Sequence, residues 1–291
     1  MQQIQYEAPR SIGEAVELLK SSNGAGAQVL AGGTDLLVQM RLGQRSPEVI
    51  VDVKRIPELL TTTLNDEGLR LGASVCAAEI FENEQIKALY PGLAEATDLI
   101  GSTQIQGRAS LGGNLCNGSP AADSVPALIA LGAECIVAGP DGQRSVPVES
   151  FTTGPGETVL KEGELLVEFR IARPAPRSAD AYLRFIPRTE MDIAVVGAGV
   201  NLTLDANGIC TAARVCLGAV APTAILVPAA AEALIGTPVD EQALQRAGDA
   251  SSAAASPIND KRGTITHRKK VAGVLTRRAA AIAAERARER S

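Results

Sequence analysis

The sequence predicts an α+β protein, and three observations carry that reading. Short apolar or alternating runs recur at 27–31, 47–53, 68–73, 134–138, 165–171, 181–186, 193–204 and 209–219, bounded by Gly, Pro, Asn or Asp. Helical periodicity falls between and after them, with the chain from 229 onward mostly helical. Two loops of small residues, Ala31-Gly32-Gly33-Thr34-Asp35 and Ser110-Leu111-Gly112-Gly113-Asn114, interrupt the pattern in the same way. At 291 residues the chain is long enough for two or three domains, and 45% hydrophobic with 21% charged residues describes an ordinary soluble composition.

Taken in order, Ser11 and Glu14 form a capping-box pattern that opens a helix over 12–19, with Asn23-Gly24 and Gly26 ending it. A short buried strand over 27–31 runs into Gly32-Gly33, and Thr34-Asp35 stands where a helix over 36–41 begins. Strand, Gly-Gly turn and helix start form an anion-binding order, because unpaired N–H groups and the helix dipole meet there. Asp35 is equally readable as a plain N-terminal helix acid. The stretch is not G-x-G-x-x-G, so a Rossmann assignment has no support. A strand over 47–53 and the segment 56–59 close a first lobe.

The next lobe begins with a strand over 68–73 after the Asn65-Asp66 turn, followed by helices over 77–83 and 92–100. Residues 107–123 read as a long loop in which Ser110, Asn114, Asn117, Ser119 and Asp123 offer hydroxyl, amide and carboxylate groups to sugar oxygens. Its glycines leave the backbone open to a phosphate. One such loop is also what an ordinary Gly-rich surface turn looks like; the pair says more than either. A helix over 125–131, a strand over 134–138, a hairpin through Gly139-Pro140-Asp141-Gly142 into 144–148, and a strand over 165–171 complete this part. Pro174-Ala175-Pro176-Arg177-Ser178 is the linker candidate, followed by three strand runs and helices over 229–235, 241–255 and 267–290.

Several function classes are excluded. A net charge of −5 without a basic stripe argues against a nucleic-acid footprint. The opening residues lack the regions of a signal peptide, and the longest apolar run, 215–231, carries Pro222 and Pro228, which makes a poor membrane helix. Five scattered cysteines without C-x-x-C spacing support neither a zinc nor an iron–sulfur site and suit reduced thiols in the cytoplasm. The single histidine, His267, lies in a basic C-terminal helix and reads as a surface or interface residue. No carboxylate pair stands out as an acid/base couple, so any reaction here is carried by a bound cofactor. With aromatics at 2% and no Trp, a planar ligand meets mostly aliphatic side chains.

Four motifs in register, "AGGTDLL" at 31–37, "ASLGGNLCNGSPAAD" at 109–123, "RFIPRTEMDIAVV" at 184–196 and "THRKKVAGVLTRRA" at 266–279, resemble the FAD-binding medium subunit of the molybdenum hydroxylases, the xanthine and carbon monoxide dehydrogenase family. The resemblance covers nearly the whole chain. It implies a two-lobed PCMH-type FAD-binding domain over 1–175, with lobes of about 1–55 and 56–175, and a C-terminal domain of a small antiparallel sheet with helices over 178–291. Cofactor contacts implied are Val29, Leu30, Ala31, Gly32, Gly33, Thr34, Asp35 and Leu36 on one side of the diphosphate, and Ser110, Leu111, Gly112, Gly113 and Asn114 on the other. Asp123 would hold the ribityl or ribose region with Asn117 close by, and Ile100 and Leu165 would be apolar contacts of the flavin. Arg184 stands where relatives usually carry a lysine near the cofactor, which keeps the charge and changes its geometry. Arg188 and Asp192 read as an internal salt bridge.

The function implied is electron transfer through FAD, without activity on substrate by this chain alone. Partners implied are a small subunit with 2Fe-2S clusters and a large subunit with the molybdenum cofactor, arranged as a dimer of heterotrimers, plus an external electron acceptor. The alternatives are the flavoprotein subunit of a related acyl-CoA reductase, for which the cluster-binding insertion is missing, and a cofactor-less assembly or scaffold subunit, against which the intact glycines argue.

Overall fold

A computed structural model of the chain describes residues 4–21 and 26–290; the helix stop expected at Asn23-Gly24 lies outside them. The first lobe runs β1 (Gln5–Glu7), α1 (Ile12–Ser21), β2 (Ala27–Leu30), α2 (Leu36–Arg41) and β3 (Val49–Asp52), and its three strands form a parallel sheet in the order β1-β3-β2. Ser11 Oγ accepts from the Glu14 amide (3.2 Å), while the Glu14 carboxylate reaches back to the Arg10 amide (2.8 Å), so the capping box closes one residue early. Ala15, Val16 and Leu19 are buried on one face of α1.

The second lobe contains β4 (Thr62–Asn65), β5 (Gly68–Gly72), α3 (Ala77–Phe81), α4 (Glu84–Leu89), α5 (Pro91–Asp98), α6 (Thr103–Gln106), α7 (Leu111–Cys116), α8 (Ser124–Ala130), β6 (Glu134–Gly139), β7 (Gly142–Pro147), β8 (Thr152–Gly154), β9 (Glu157–Thr158) and β10 (Leu165–Ala172). Its antiparallel sheet has the order β4-β5-β10-β6-β7. The central strand β10 is apolar almost throughout because both of its faces are covered. Leu165 and Val167 join the core under the first lobe, and Leu166, Phe169 and Ile171 join the main core with the helices. The change of parity between 167 and 169 is the work of a register shift between Leu166 and Glu168, which turns the strand over in mid-length. Glu168 itself is buried and satisfied by Arg70 (3.1 Å) and Arg170 (2.7 Å).

The C-terminal part is an antiparallel sheet of β11 (Ser178–Phe185), β12 (Val196–Leu204), β13 (Cys210–Gly218) and β14 (Ile225–Leu226), covered by α9 (Pro228–Glu232), α10 (Glu241–Ala254) and α11 (Ile265–Glu289). The alanines of α11 at 272, 279, 280, 283, 284 and 287 are buried in this core. Small residues let α11 and α10 approach until a Cβ at Gly273 would lie 2.7 Å from the Gly248 carbonyl oxygen. The strand expected over 193–204 begins at Val196, and the helix expected over 77–83 is cut at Asn83, which caps α4 instead.

α5 joins the two halves of the molecule. Asp180 on β11 is buried, and its Oδ2 accepts from the Leu93 amide at the start of α5 (3.0 Å). The Glu95 carboxylate accepts from the Tyr182 amide (3.0 Å) and pairs with Arg286 of α11. Burial pushes the Asp180 carboxyl up to about 7, against the opposing pull of the Gly92 and Leu93 amides. The native chain therefore keeps a proton that the unfolded chain releases from about pH 4 upward. Stability must fall as pH rises across that window, by up to about 1.4 kcal/mol per pH unit, and level off above the native value. Asp180→Asn is expected to flatten that slope in urea-denaturation midpoints between pH 5 and pH 7. An unchanged slope would assign the pH dependence to other groups.

Candidate functional site

The two glycine loops meet backbone to backbone. β2 delivers the chain to Gly32 and to Gly33, whose φ of +81° turns it toward α2. A Cβ on Gly32 would lie 2.5 Å from the Arg108 carbonyl oxygen, and Arg108 Nε donates to Gly32 O (3.3 Å). Ser110, two residues on, caps α7 by accepting from the Gly113 amide (3.1 Å). Gly112 is pressed against the end of β5: its amide donates to Ala73 O (3.1 Å), and a Cβ there would lie 2.7 Å from the Ala73 Cβ. Gly113 is different. Beyond the Ser110 hydroxyl (3.2 Å) and the Ala31 methyl (3.9 Å), its Cβ direction is open.

Between the lobes lies a cavity of about 370 Å³, within the range of cofactor pockets of roughly 300–1,000 Å³. The first lobe contributes Gln28, Val29 and Ala31–Leu36 to its wall, together with Gln39, Arg45 and Val53; the second contributes Ser74, Ile100, Ser110, Gly112–Asn114, Cys116, Asn117 and parts of 156–166. The amides of 32–36 find no acceptor among the described residues, whereas those of Leu37 and Gln39 donate to Gly33 O (3.1 Å) and Asp35 O (2.9 Å). A run of five unpaired donors next to a cavity is a cradle for an anion. The second loop offers less than its glycines suggest, because α7 forms inside the stretch read as loop. Gly112, Gly113 and Asn114 already donate to Ala73 O, Ser110 Oγ and Ser110 O. Val53, Ile100, Leu165 and Leu166 supply apolar wall. Burial pushes the Cys116 thiol up to about 12, so it stays protonated there.

Of the expected contacts, 14 lie on this wall, while Leu30, Leu111, Asp123 and Arg184 do not. Leu30 and Leu111 are buried in the packing beneath the two loops. Asp123 and Arg184 lie off this wall as each other's partner. Arg184 Nη1 meets Asp123 Oδ2 at 2.7 Å, Tyr182 Oη donates to Asp123 Oδ1 (2.8 Å), and the same Arg184 nitrogen donates to Leu99 O (2.9 Å). Asp35 caps nothing with its side chain. Ser119 accepts from the Ala121 amide (3.2 Å) in a local turn. The Arg188–Asp192 pair forms (3.3 Å), joined by Arg262 (3.3 Å), and His267 is exposed with its ring edge-on to Phe185. Sequence reasoning missed Gln28, Gln39 and Arg45, which carry no motif and lie outside both glycine loops.

Lobes, cradle and cavity together define a two-lobed ligand-binding protein whose amide cradle suits an anion. The chain belongs to the family described as the FAD binding domain in molybdopterin dehydrogenase, which matches residues 2–174; the CO dehydrogenase flavoprotein C-terminal domain matches 181–283. The carbon monoxide dehydrogenase medium chain of Hydrogenophaga pseudoflava is 34% identical over 276 residues, 95% of each chain. The putative xanthine dehydrogenase FAD-binding subunit of Escherichia coli K12 is 30% identical over 275 residues, 94% of this chain and 93% of the relative. A solved carbon monoxide dehydrogenase from Hydrogenophaga pseudoflava, lacking the Mo-pyranopterin moiety of its molybdenum cofactor, superimposes with a TM-score of 0.93 at 35% identity over 98% of both chains. FAD is thus the cofactor of this chain, and the chain is an oxidoreductase subunit.

Proposed function

We propose that this subunit relays electrons: it takes them from the iron–sulfur clusters of a small partner subunit and passes them through FAD to an external acceptor. A large partner subunit with the molybdenum cofactor would oxidise the organic substrate, in a cytoplasmic dimer of heterotrimers. The observation that carries the FAD part is the run of unpaired amides at 32–36 on the wall of the cavity. The relatives support a place in a multi-subunit dehydrogenase, since they are a medium chain and an FAD-binding subunit of such enzymes.

The bound flavin would supply a centre that accepts and releases one or two electrons. The chain's own residues would do the holding. The amides of 32–36 would take the diphosphate, Ala31 and Gly113 would leave room for it, and Ile100 and Leu165 would exclude water beside the ring. Asn114 Oδ1 and Asn117 Oδ1 already accept from Ser124 and Gln39, at 2.8 and 2.9 Å, so their amide N–H groups remain for the ligand.

The test is anaerobic reduction of a native purification. In the complete complex the organic substrate should bleach the flavin absorbance, and removal of the small subunit should abolish bleaching while FAD stays bound. Bleaching of the isolated chain by substrate alone would overturn the relay.

A further inference from the structure

We infer that Arg45 selects a dinucleotide over a mononucleotide by gripping the adenosine-phosphate half of the ligand; this rests on the cavity being the FAD site. The wall of the cavity is not uniform. Its apolar part, Val53, Ile100, Leu165 and Leu166, suits an uncharged ring system, while a continuous polar strip runs along Gln28, Arg45, Gln39 and Asn117. In that strip Gln39 Nε2 donates to Asn117 Oδ1 (2.9 Å), Arg45 Nε donates to Gln39 Oε1 (2.9 Å), and Arg45 Nη1 donates to Gln28 Oε1 (3.0 Å).

The clamp on the guanidinium is made of two amide oxygens and no carboxylate. A carboxylate would fix Arg45 equally well and cancel its charge toward any anion. Two neutral carbonyls hold the planar group in place and leave the full positive charge to the cavity. Of the five N–H donors of an arginine, two are used in this clamp and three remain. The other cation on the wall, Lys161, stands beside Glu162, while the Glu164 carboxylate there is already paired with Arg144 (2.8 Å).

Position gives the selectivity. Gln39 lies one helical turn beyond Asp35, whose carbonyl accepts from the Gln39 amide (2.9 Å). Arg45 is clamped to this Gln39, one turn of α2 past the cradle residue Asp35. A flavin mononucleotide ends at its single phosphate in the cradle; only a ligand that continues past it, with a second phosphate, ribose and adenine, reaches the guanidinium. Gln28 and Gln39 are positioning residues, and the Gln39–Asn117 bond also ties the first lobe to the second.

The test uses the deflavinated complex, with dissociation constants for FAD, FMN and ADP measured by flavin fluorescence and by competition. Arg45→Met should weaken FAD and ADP by tenfold or more and leave FMN within twofold. Arg45→Lys, which keeps the charge and loses the double clamp, should fall between, and Gln28→Met should lose a few-fold for FAD and ADP only. Equal losses for FAD and FMN would reduce the strip to a structural tie between lobes, and no loss for FAD or ADP would remove Arg45 from the site; either result overturns the inference. Failure of the unsubstituted protein to take up FAD would instead sink the cofactor assignment.

Discussion

Gly113→Val is expected to give a folded, colourless subunit. Valine is no worse than glycine in the first turn of a helix, and a Cβ at this position meets only the capping Ser110 hydroxyl (3.2 Å), which must give by a few tenths of an ångström, and a methyl group. The two γ-methyl groups then occupy the space between Ala31 and Ser110, where both loops line the cavity. FAD affinity should drop by roughly a hundredfold or more, about 2.8 kcal/mol, while thermal unfolding of the apoprotein stays close to that of the parent. Gly112→Val makes the contrast, since its Cβ would overlap the Ala73 carbonyl oxygen and methyl group across the end of β5. That variant should lose about 1–3 kcal/mol of stability from overpacking as well as its flavin. Stoichiometric FAD in purified Gly113→Val would mean that the ligand does not pass between Ala31 and α7.

The comparison of these two glycines also marks what the sequence reveals. Both belong to one Gly-Gly pair, and composition alone treats them alike. Their roles differ because Gly112 faces Ala73, 39 positions away in the chain, and Gly113 faces the cavity. The strands and long helices were legible because their periodicity is set by burial on one face, as in α1 and α10. β1, β4, β8, β9 and β14 were not, since two to four residues carry little period. α7 was hidden by its own glycines, which read as loop until Ser110 capped it and Ala73 fixed it from outside. Arg45 was invisible for a related reason: its meaning comes from Gln28 on a strand and Gln39 on a helix, and only folding brings the three together.

Asp123→Ala is expected to destabilise the subunit by about 3–5 kcal/mol, because it strands a buried cation. The Arg184 side chain is 5% exposed and is balanced by this one carboxylate; without it the guanidinium keeps only the Leu99 carbonyl, and Tyr182 loses its acceptor. Strand β12 is shaped around this group, for a Cβ on Gly197 would lie 2.5 Å from the Tyr182 hydroxyl oxygen. Neither side chain was expected to serve the other from sequence, where both stood as candidates to touch the cofactor. The two roles predict opposite results. A direct contact would make Asp123→Asn lose FAD at little cost in stability. An internal pair makes Asp123→Ala unstable first, with FAD affected only as Leu99 and the neighbouring Ile100 loosen. Urea denaturation of the apoprotein decides between them, together with the double variant Asp123→Ala/Arg184→Met. Removing both charges should recover part of the loss, with a coupling of about 1–3 kcal/mol. A loss under about 1 kcal/mol in Asp123→Ala, accompanied by complete loss of flavin, would return Asp123 to the cofactor.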